Sequence, residues 1–425
     1  MERRDFLKLA SMAGLGVVAG GLPYANDAKA EGEAYTGPLW IMIHAGGGWD
    51  PTSLCDPKGS QGMADSDPMN HYLATDIGTA GAFQYAPDPA GANQLFFEKY
   101  ANRLMVINGI DTQTNSHDVG TRITWSGSLV ENRPSFAALV AAHHGSKLPM
   151  GFISNGGYDV TGGVVAVTRV GDQNVIQRVA YPDIIDPIYD DNQTPYHHAD
   201  TTARIRAARD KRHDAYLKKQ QLPRLQHAMS TLYTARFGQN DLKKLSQFLP
   251  PPDMLGQGLI RQVNFALAAY QAGICVSANL SIGGFDTHGN NDQQQFARLA
   301  NILEAIDFLM VEAQNRGVGD KVIVMAGSDF GRTPGYNSDD GKDHWNITSM
   351  LLMGAGIPQG KLVGKTTDRH GPVKLDPVTL QESSGGLTLK PGHIHRALRK
   401  LAGIDQSPVL KGAGLKEEED LPLFA

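Results

Sequence analysis

Cysteine is nearly absent: Cys55 and Cys275 are the only two in 425 residues, so no disulfide framework or cysteine-rich metal module organises this chain. One sits in a Gly/Pro/Asp-rich loop and the other opens an apolar strand, and they are not expected to pair. Charge of neither sign dominates. With 39 Lys and Arg against 44 Asp and Glu the net charge is −5, which argues against a nucleic-acid surface. Past the first thirty residues no apolar run approaches the roughly twenty needed to cross a bilayer. No Gly-x-Ser-x-Gly elbow, phosphate-cradling loop or dinucleotide fingerprint fits, which removes the common serine hydrolase, kinase and dehydrogenase classes.

What is present begins at the first residues. Arg3-Arg4-Asp5-Phe6-Leu7-Lys8 precedes a modestly apolar stretch from Leu9 to about Gly21. That order of charge and then apolar residues is a twin-arginine export signal. Gly14, Gly16, Gly20 and Gly21 interrupt the stretch and leave it too short for a membrane anchor. Ala28-Lys29-Ala30 supplies the small residues of a cleavage site, so residues 1–30 are expected to be removed after Ala30. The leader has four cations against three anions, leaving the mature chain at −6. The expected partner is the twin-arginine export machinery and the expected location is periplasmic or secreted. No nucleic acid and no stable membrane span are expected of the mature chain.

The remainder, 31–425, alternates apolar strands with amphipathic helices. Strands are expected at 39–44, 104–108, 150–154, 275–282 and 321–325, with a further apolar run at 350–353. Helices are expected at 94–102, 135–144, 260–272, 294–315 and 391–402. Leu299, Ile302, Leu303, Ile306 and Leu309 have helical spacing in the longest of these. Such alternation implies an α/β fold with a mostly parallel sheet covered on both faces, whose ligands bind beyond the carboxyl ends of the strands. The stretch at about 200–250 is instead polar, with Arg204, Arg206, Arg209, Lys211 and Arg212 close together, and is expected to be a helical cap or insertion.

Carboxylates and imidazoles collect on the loops after these strands: Asp50, Asp286 with His288, Asp329, and Asp343 with His344. Residues two apart in an extended turn project to one side, so Asp286 and His288 could hold one ion. The adjacent Asp343 and His344 point apart, to two ions or to one ion and its outer partners. Mixed oxygen and nitrogen donors suit zinc or manganese, and a carboxylate-rich subset suits calcium or magnesium. Each group also has a structural alternative: Asp50 as a turn former, Asp286 as a cap, Asp343-His344 as a solvated turn, Arg332 as a partner for Asp329. His143-His144, His197-His198, His393 and His395 read as solvated. Ser116, followed by His117, either caps a helix or presents a hydroxyl at its N-terminus.

On Gly47-Gly48-Trp49-Asp50, Ser116-His117, Gly284-Phe285-Asp286-Thr287-His288, Asp329-Phe330-Gly331-Arg332-Thr333 and Asp343-His344, the chain resembles domain-of-unknown-function family 1501. That family of exported bacterial proteins is related to the alkaline phosphatase and sulfatase superfamily. The resemblance implies an alkaline-phosphatase-like three-layer sandwich with metal at the strand ends. It does not imply a known reaction; from their strand-end positions Asp50, Asp286, His288, Asp329, Asp343 and His344 are the expected metal ligands, with Ser116 and His117 expected in catalytic roles. Phe330 departs from the pattern, because the superfamily usually has Asp-His there and phenylalanine cannot bind a metal. Neither cysteine has the Cys/Ser-x-Pro-x-Arg setting of a sulfatase nucleophile. Two functions follow: a metal-dependent hydrolase of phosphate or sulfate esters, with a small-molecule or glycan substrate, or an exported non-catalytic binding or assembly protein with a degraded site.

Replacing Arg3 and Arg4 by lysine is expected to leave uncleaved precursor in the cytoplasm. Normal processing of that double variant, read by immunoblot of cell fractions, would defeat the export assignment.

Overall fold

The computed structural model of this chain describes residues 34–62, 65–169, 181, 183–187, 194–219, 239–251, 253–415 and 418–425. The leader expected at 1–30 lies outside them. Eight strands form the central sheet: β1 (Leu39–Gly46), β2 (Leu104–Asp111), β3 (Phe152–Ser154), β4 (Val167–Arg169), β5 (Ser277–Gly283), β6 (Val322–Ser328), β7 (Ile347–Gly354) and β8 (Lys361–Val363). Their spatial order is β8-β2-β7-β6-β1-β5-β3-β4. β1 lies between β5 and β6 and is parallel to both, as the sequence implied. Only β7 runs the other way, antiparallel to β2 and β6.

The near-continuous apolar text of β1 has a physical cause in its two covered faces. Leu39, Ile41 and Ile43 pack into one core, with Phe96 and Phe97 of α1 (Ala92–Tyr100), Val263 and Leu267 of Gly258–Gln271, and Leu299 and Ile302 of Asn291–Asn315. Trp40 and Met42 enter a second core, with Trp125 of α2 (His117–Ser126), Phe136 of α3 (Phe136–His144) and Ile394 of Pro391–Leu401. Trp40 and Phe136 meet edge to face at 5.3 Å, a geometry aromatic quadrupoles favour. The layers are therefore helix, sheet, helix. Ser135 starts α3 by accepting a hydrogen bond from the Ala138 amide at 3.1 Å.

In the polar stretch at about 200–250, helices occupy α4 (Ala199–Lys219) and α5 (Gln239–Phe248), and 220–238 lie outside the described residues. Leu245 of α5 is buried in the first core. The helix Gly258–Gln271 is α6, the 25-residue helix Asn291–Asn315 is α7 and Pro391–Leu401 is α8. Among the described residues no helix is long and apolar enough to cross a membrane.

Two expectations fail on α8, where His393 and His395 are buried rather than solvated. The helix is covered on the sides that carry them: His395 hydrogen-bonds the Thr124 carbonyl at 2.7 Å and His393 meets Glu419 at 2.9 Å. Burial pushes the His395 imidazole down to about 4.

Topology explains why the loops meet. Parallel strands β1, β2, β5 and β6 finish at one edge, and reversed β7 begins there. The segments 46–50, 112–117, 283–289, 329–333 and 341–346 therefore arrive together. A short antiparallel pair, Gly331–Arg332 with His344–Trp345, sets His344 opposite Arg332.

Both cysteines are free and buried, and burial pushes the Cys55 thiol up to about 12 and the Cys275 thiol higher still. Folded protein is expected to react with a thiol reagent only on unfolding and to melt at the same temperature with or without reductant. Rapid labelling of the native state would contradict this placement.

Candidate metal centre

Three strand-end loops are tied together before any ligand is considered. Arg332, fully buried, donates from Nε to the Gly48 carbonyl at 2.9 Å, from Nη1 to the Lys342 carbonyl at 2.9 Å, and from Nη2 to Asp286 Oδ1 at 2.8 Å and to the Gly47 carbonyl. It does not pair with Asp329. A row on α7 braces the same loops: Gln295 donates to the Phe285 carbonyl and Thr287 hydroxyl, each at 3.0 Å, and accepts from the Asp50 amide at 2.9 Å. Asn291 lies one turn earlier and bonds Thr287 at 2.6 Å. Gly47 and Gly48 have φ of +121° and +86°. A Cβ at Gly47 would lie 2.4 Å from the Asp286 amide, and one at Gly48 2.5 Å from the Phe330 ring. Only glycine allows that approach.

The braced loops bring Asp286, His288 and His344 together. His288 Nε2 lies 3.1 Å from His344 Nε2 and 3.1 Å from Asp286 Oδ1, and His344 Nε2 lies 3.0 Å from the same oxygen. His117 Nε2 stands 3.5 Å from Asp286 Oδ2. His117, Asp286 and His344 each offer a ligand atom within 4.8 Å of the others.

The other ring nitrogens fix the chemistry. His344 Nδ1 faces the Asn115 carbonyl at 2.8 Å, His288 Nδ1 faces Asp343 Oδ1 at 2.7 Å, and His117 Nδ1 faces Asp329 Oδ2 at 2.7 Å. Each partner is an acceptor, so each neutral imidazole carries its proton on Nδ1 and turns a bare Nε2 inward. Lone pairs of His288, His344 and Asp286 then confront one another at 3.0–3.1 Å. That arrangement calls for a cation. Ligand atoms around a tetrahedral ion with bonds of about 2.0 to 2.1 Å lie roughly 3.3 Å apart, so the set fits. Burial raises the Asp286 carboxyl, but the hydrogen bond and charge of the Arg332 guanidinium outweigh it and hold the group at about 2.

Three expected ligands occupy other places. Asp50 is fully buried, with Lys342 Nζ at 2.7 Å and further bonds from Thr52 and Asn291. Its oxygens face inward because it also starts the turn at Pro51–Ser53. Asp329 is turned to His44 Nε2 at 3.3 Å, the Gly47 amide at 3.2 Å and His117. Asp343 supports His288 from outside the set. Phe330 is a buried wall, its ring centroid 4.5 Å from that of His344 and 4.9 Å from that of His117. Ser116 is exposed at the N-cap of α2, yet its side chain makes no capping hydrogen bond.

Sequence reasoning passed over Arg332 as a loop clip, and Lys342, Gln295 and Asn291. One signal existed: positions 291, 295, 299 and 302 form a single helical stripe, and two polar residues in an otherwise apolar stripe mark buried hydrogen bonding.

The model of a family described as Protein of unknown function (DUF1501) matches residues 260–407. The matched part contains Asp286, His288, Asp329, Asp343 and His344. No curated relative matches the chain. Among solved structures it is similar to Ps i-CgsB, at 10% identity and a TM-score of 0.41, covering 91% of this chain and 76% of that one. It is also similar to the lipoteichoic acid synthase LtaP from Listeria monocytogenes, at 9% identity and a TM-score of 0.38, covering 94% and 78%. A third is the alkaline phosphatase from the Antarctic bacterium TAB5, at 10% identity and a TM-score of 0.36, covering 87% and 99%.

Lys342→Met is expected to strand the Asp50 charge and cost about 3–5 kcal/mol in urea unfolding. Burial pushes the Asp50 carboxyl up, but Lys342 and Thr52 outweigh it and hold the folded value below the ordinary one. The pair therefore stabilises fully above about pH 4 and is lost as pH falls through the lower folded value. An unchanged urea midpoint in Lys342→Met at pH 7 would contradict this.

Proposed function

We propose that this chain is an exported metal-dependent hydrolase of phosphate or sulfate esters. Asp286, His288 and His344 hold one divalent ion, with His117 Nε2 beside them as a fourth donor. The observation that carries this is the uniform arrangement of the three imidazoles, each with Nδ1 on an acceptor and Nε2 turned toward Asp286. A set of three nitrogens and a carboxylate suits zinc first and manganese next, and is poor in oxygen for calcium. A divalent ion supplies Lewis acidity to ester hydrolysis.

The protein's own groups supply the rest. Ser116 presents a hydroxyl that no capping bond occupies, beside His117 and at a helix N-terminus, where backbone amides favour an anion. Phosphate esters are favoured over sulfate esters, because Cys55 and Cys275 are buried and lack a sulfatase setting. Arg332 and Lys342 are committed to carbonyls and to Asp286 and Asp50, so they hold the loops rather than bind substrate.

One observation favours a second reading. Phe330 fills the place beside Asp329 with an apolar ring, and Asp50 and Asp329 are taken up by internal partners. That suits an exported binding or assembly protein that keeps a single ion without turnover.

Metal analysis of protein purified from the exported fraction is expected to find about one zinc or manganese per chain, and His288→Ala is expected to lower the affinity at least tenfold. A broad phosphate and sulfate ester screen then separates the two readings. Metal without turnover favours the binding protein, and His288→Ala with full metal content would place the ion elsewhere.

A further inference from the structure

His44, on β1, stands behind Asp329 and is nearly fully buried. Its Nδ1 lies 2.9 Å from the indole Nε1 of Trp125, on α2. An indole N–H can only donate. His44 Nδ1 is therefore an acceptor, which fixes the tautomer and places the ring proton on Nε2. That atom is 3.3 Å from Asp329 Oδ1. Gly157 makes room for the ring, since a Cβ there would come within 3.1 Å of His44 Cβ.

Asp329 can only accept when ionised. One oxygen takes His44 Nε2–H, the Gly47 amide spans both oxygens at 3.2 and 3.3 Å, and Oδ2 takes His117 Nδ1–H at 2.7 Å. The indole fixes the proton of His44, and the ionised Asp329 that His44 holds in place fixes the proton of His117. Burial pushes the His44 imidazole down, against the pull of Asp329, and keeps it neutral. Without the His44 donor, Asp329 could rotate and His117 would lose the partner that keeps its proton on Nδ1.

We infer that His44 is a positioning residue which, acting through Asp329, sets the tautomer of His117 and so turns a bare Nε2 toward Asp286. In its metal consequence this rests on the single-ion reading above. In its tautomer consequence it does not.

Two measurements separate these consequences. Nitrogen-15 NMR of the histidine rings in metal-free protein is expected to show His117 protonated at Nδ1. In His44→Leu that signal is expected to shift to a mixture of tautomers. In His44→Gln, whose side-chain amide still donates toward Asp329, it is expected to stay native. A competition titration with a chelator is expected to show zinc affinity 10- to 100-fold lower in His44→Leu and near native in His44→Gln. If His44→Leu fails to fold, Trp125→Phe removes the indole donor while keeping an aromatic ring, and should shift His117 in the same direction. A His117 signal that stays at Nδ1–H in the folded variants that lack the donor overturns the inference. A native protein that binds no zinc, yet whose His117 tautomer follows His44, upholds it and overturns the metal reading instead.

Discussion

A single buried guanidinium holds the business edge of this sheet together. Arg332 reaches the loop after β1 through Gly47 and Gly48, the loop after β5 through Asp286, and the segment before β7 through Lys342. A planar fork can meet carbonyls and a carboxylate in several directions at once, which an ammonium cannot. The burial cost of the cation is offset only because every N–H in these contacts finds an acceptor. The positions of Asp286 and His344 depend on that crosslink.

Around it the acidic groups divide the work by what each one faces. Asp50 neutralises Lys342 in the interior, with both side chains fully buried. Asp329 and Asp343 each fix the Nδ1 of one histidine. Asp286 alone of the four turns its oxygens toward Nε2 atoms that carry no proton, while sharing one of them with Arg332. Four aspartates that look alike as text thus become a buried counter-ion, two partners of histidine Nδ1 atoms and one carboxylate that faces the imidazole cluster. Protein metal sites commonly need this outer layer as much as the ligands themselves, because it sets ring orientation and tautomer.

The fold was largely legible in the sequence because strands buried on both faces have to be apolar throughout, and the helices that cover them have to be apolar on one side. Residues 39–44, 275–282 and 321–325 announced three neighbouring strands in this way, and the structure sets them in the order β5, β1, β6. Glycines at the ends of β1 and β5 announced the site edge. His393 and His395 misled, since an amphipathic helix with two histidines looks solvated until a second core is seen to cover it.

The sequence by itself determined the alternating α/β architecture and the edge on which chemistry-bearing residues gather, because apolar periodicity and glycine-bounded strand ends are local properties. Only the tertiary structure decided which carboxylate turns inward. Asp50, Asp329 and Asp286 each follow a strand or a glycine turn, and nothing local separates them. What separates them is whether Lys342, His44 or Arg332 stands opposite, and those partners lie between 46 and 292 positions away along the chain. The tautomers depend in the same way on Asn115, Asp343 and Asp329, contacts that exist only once the loops have met.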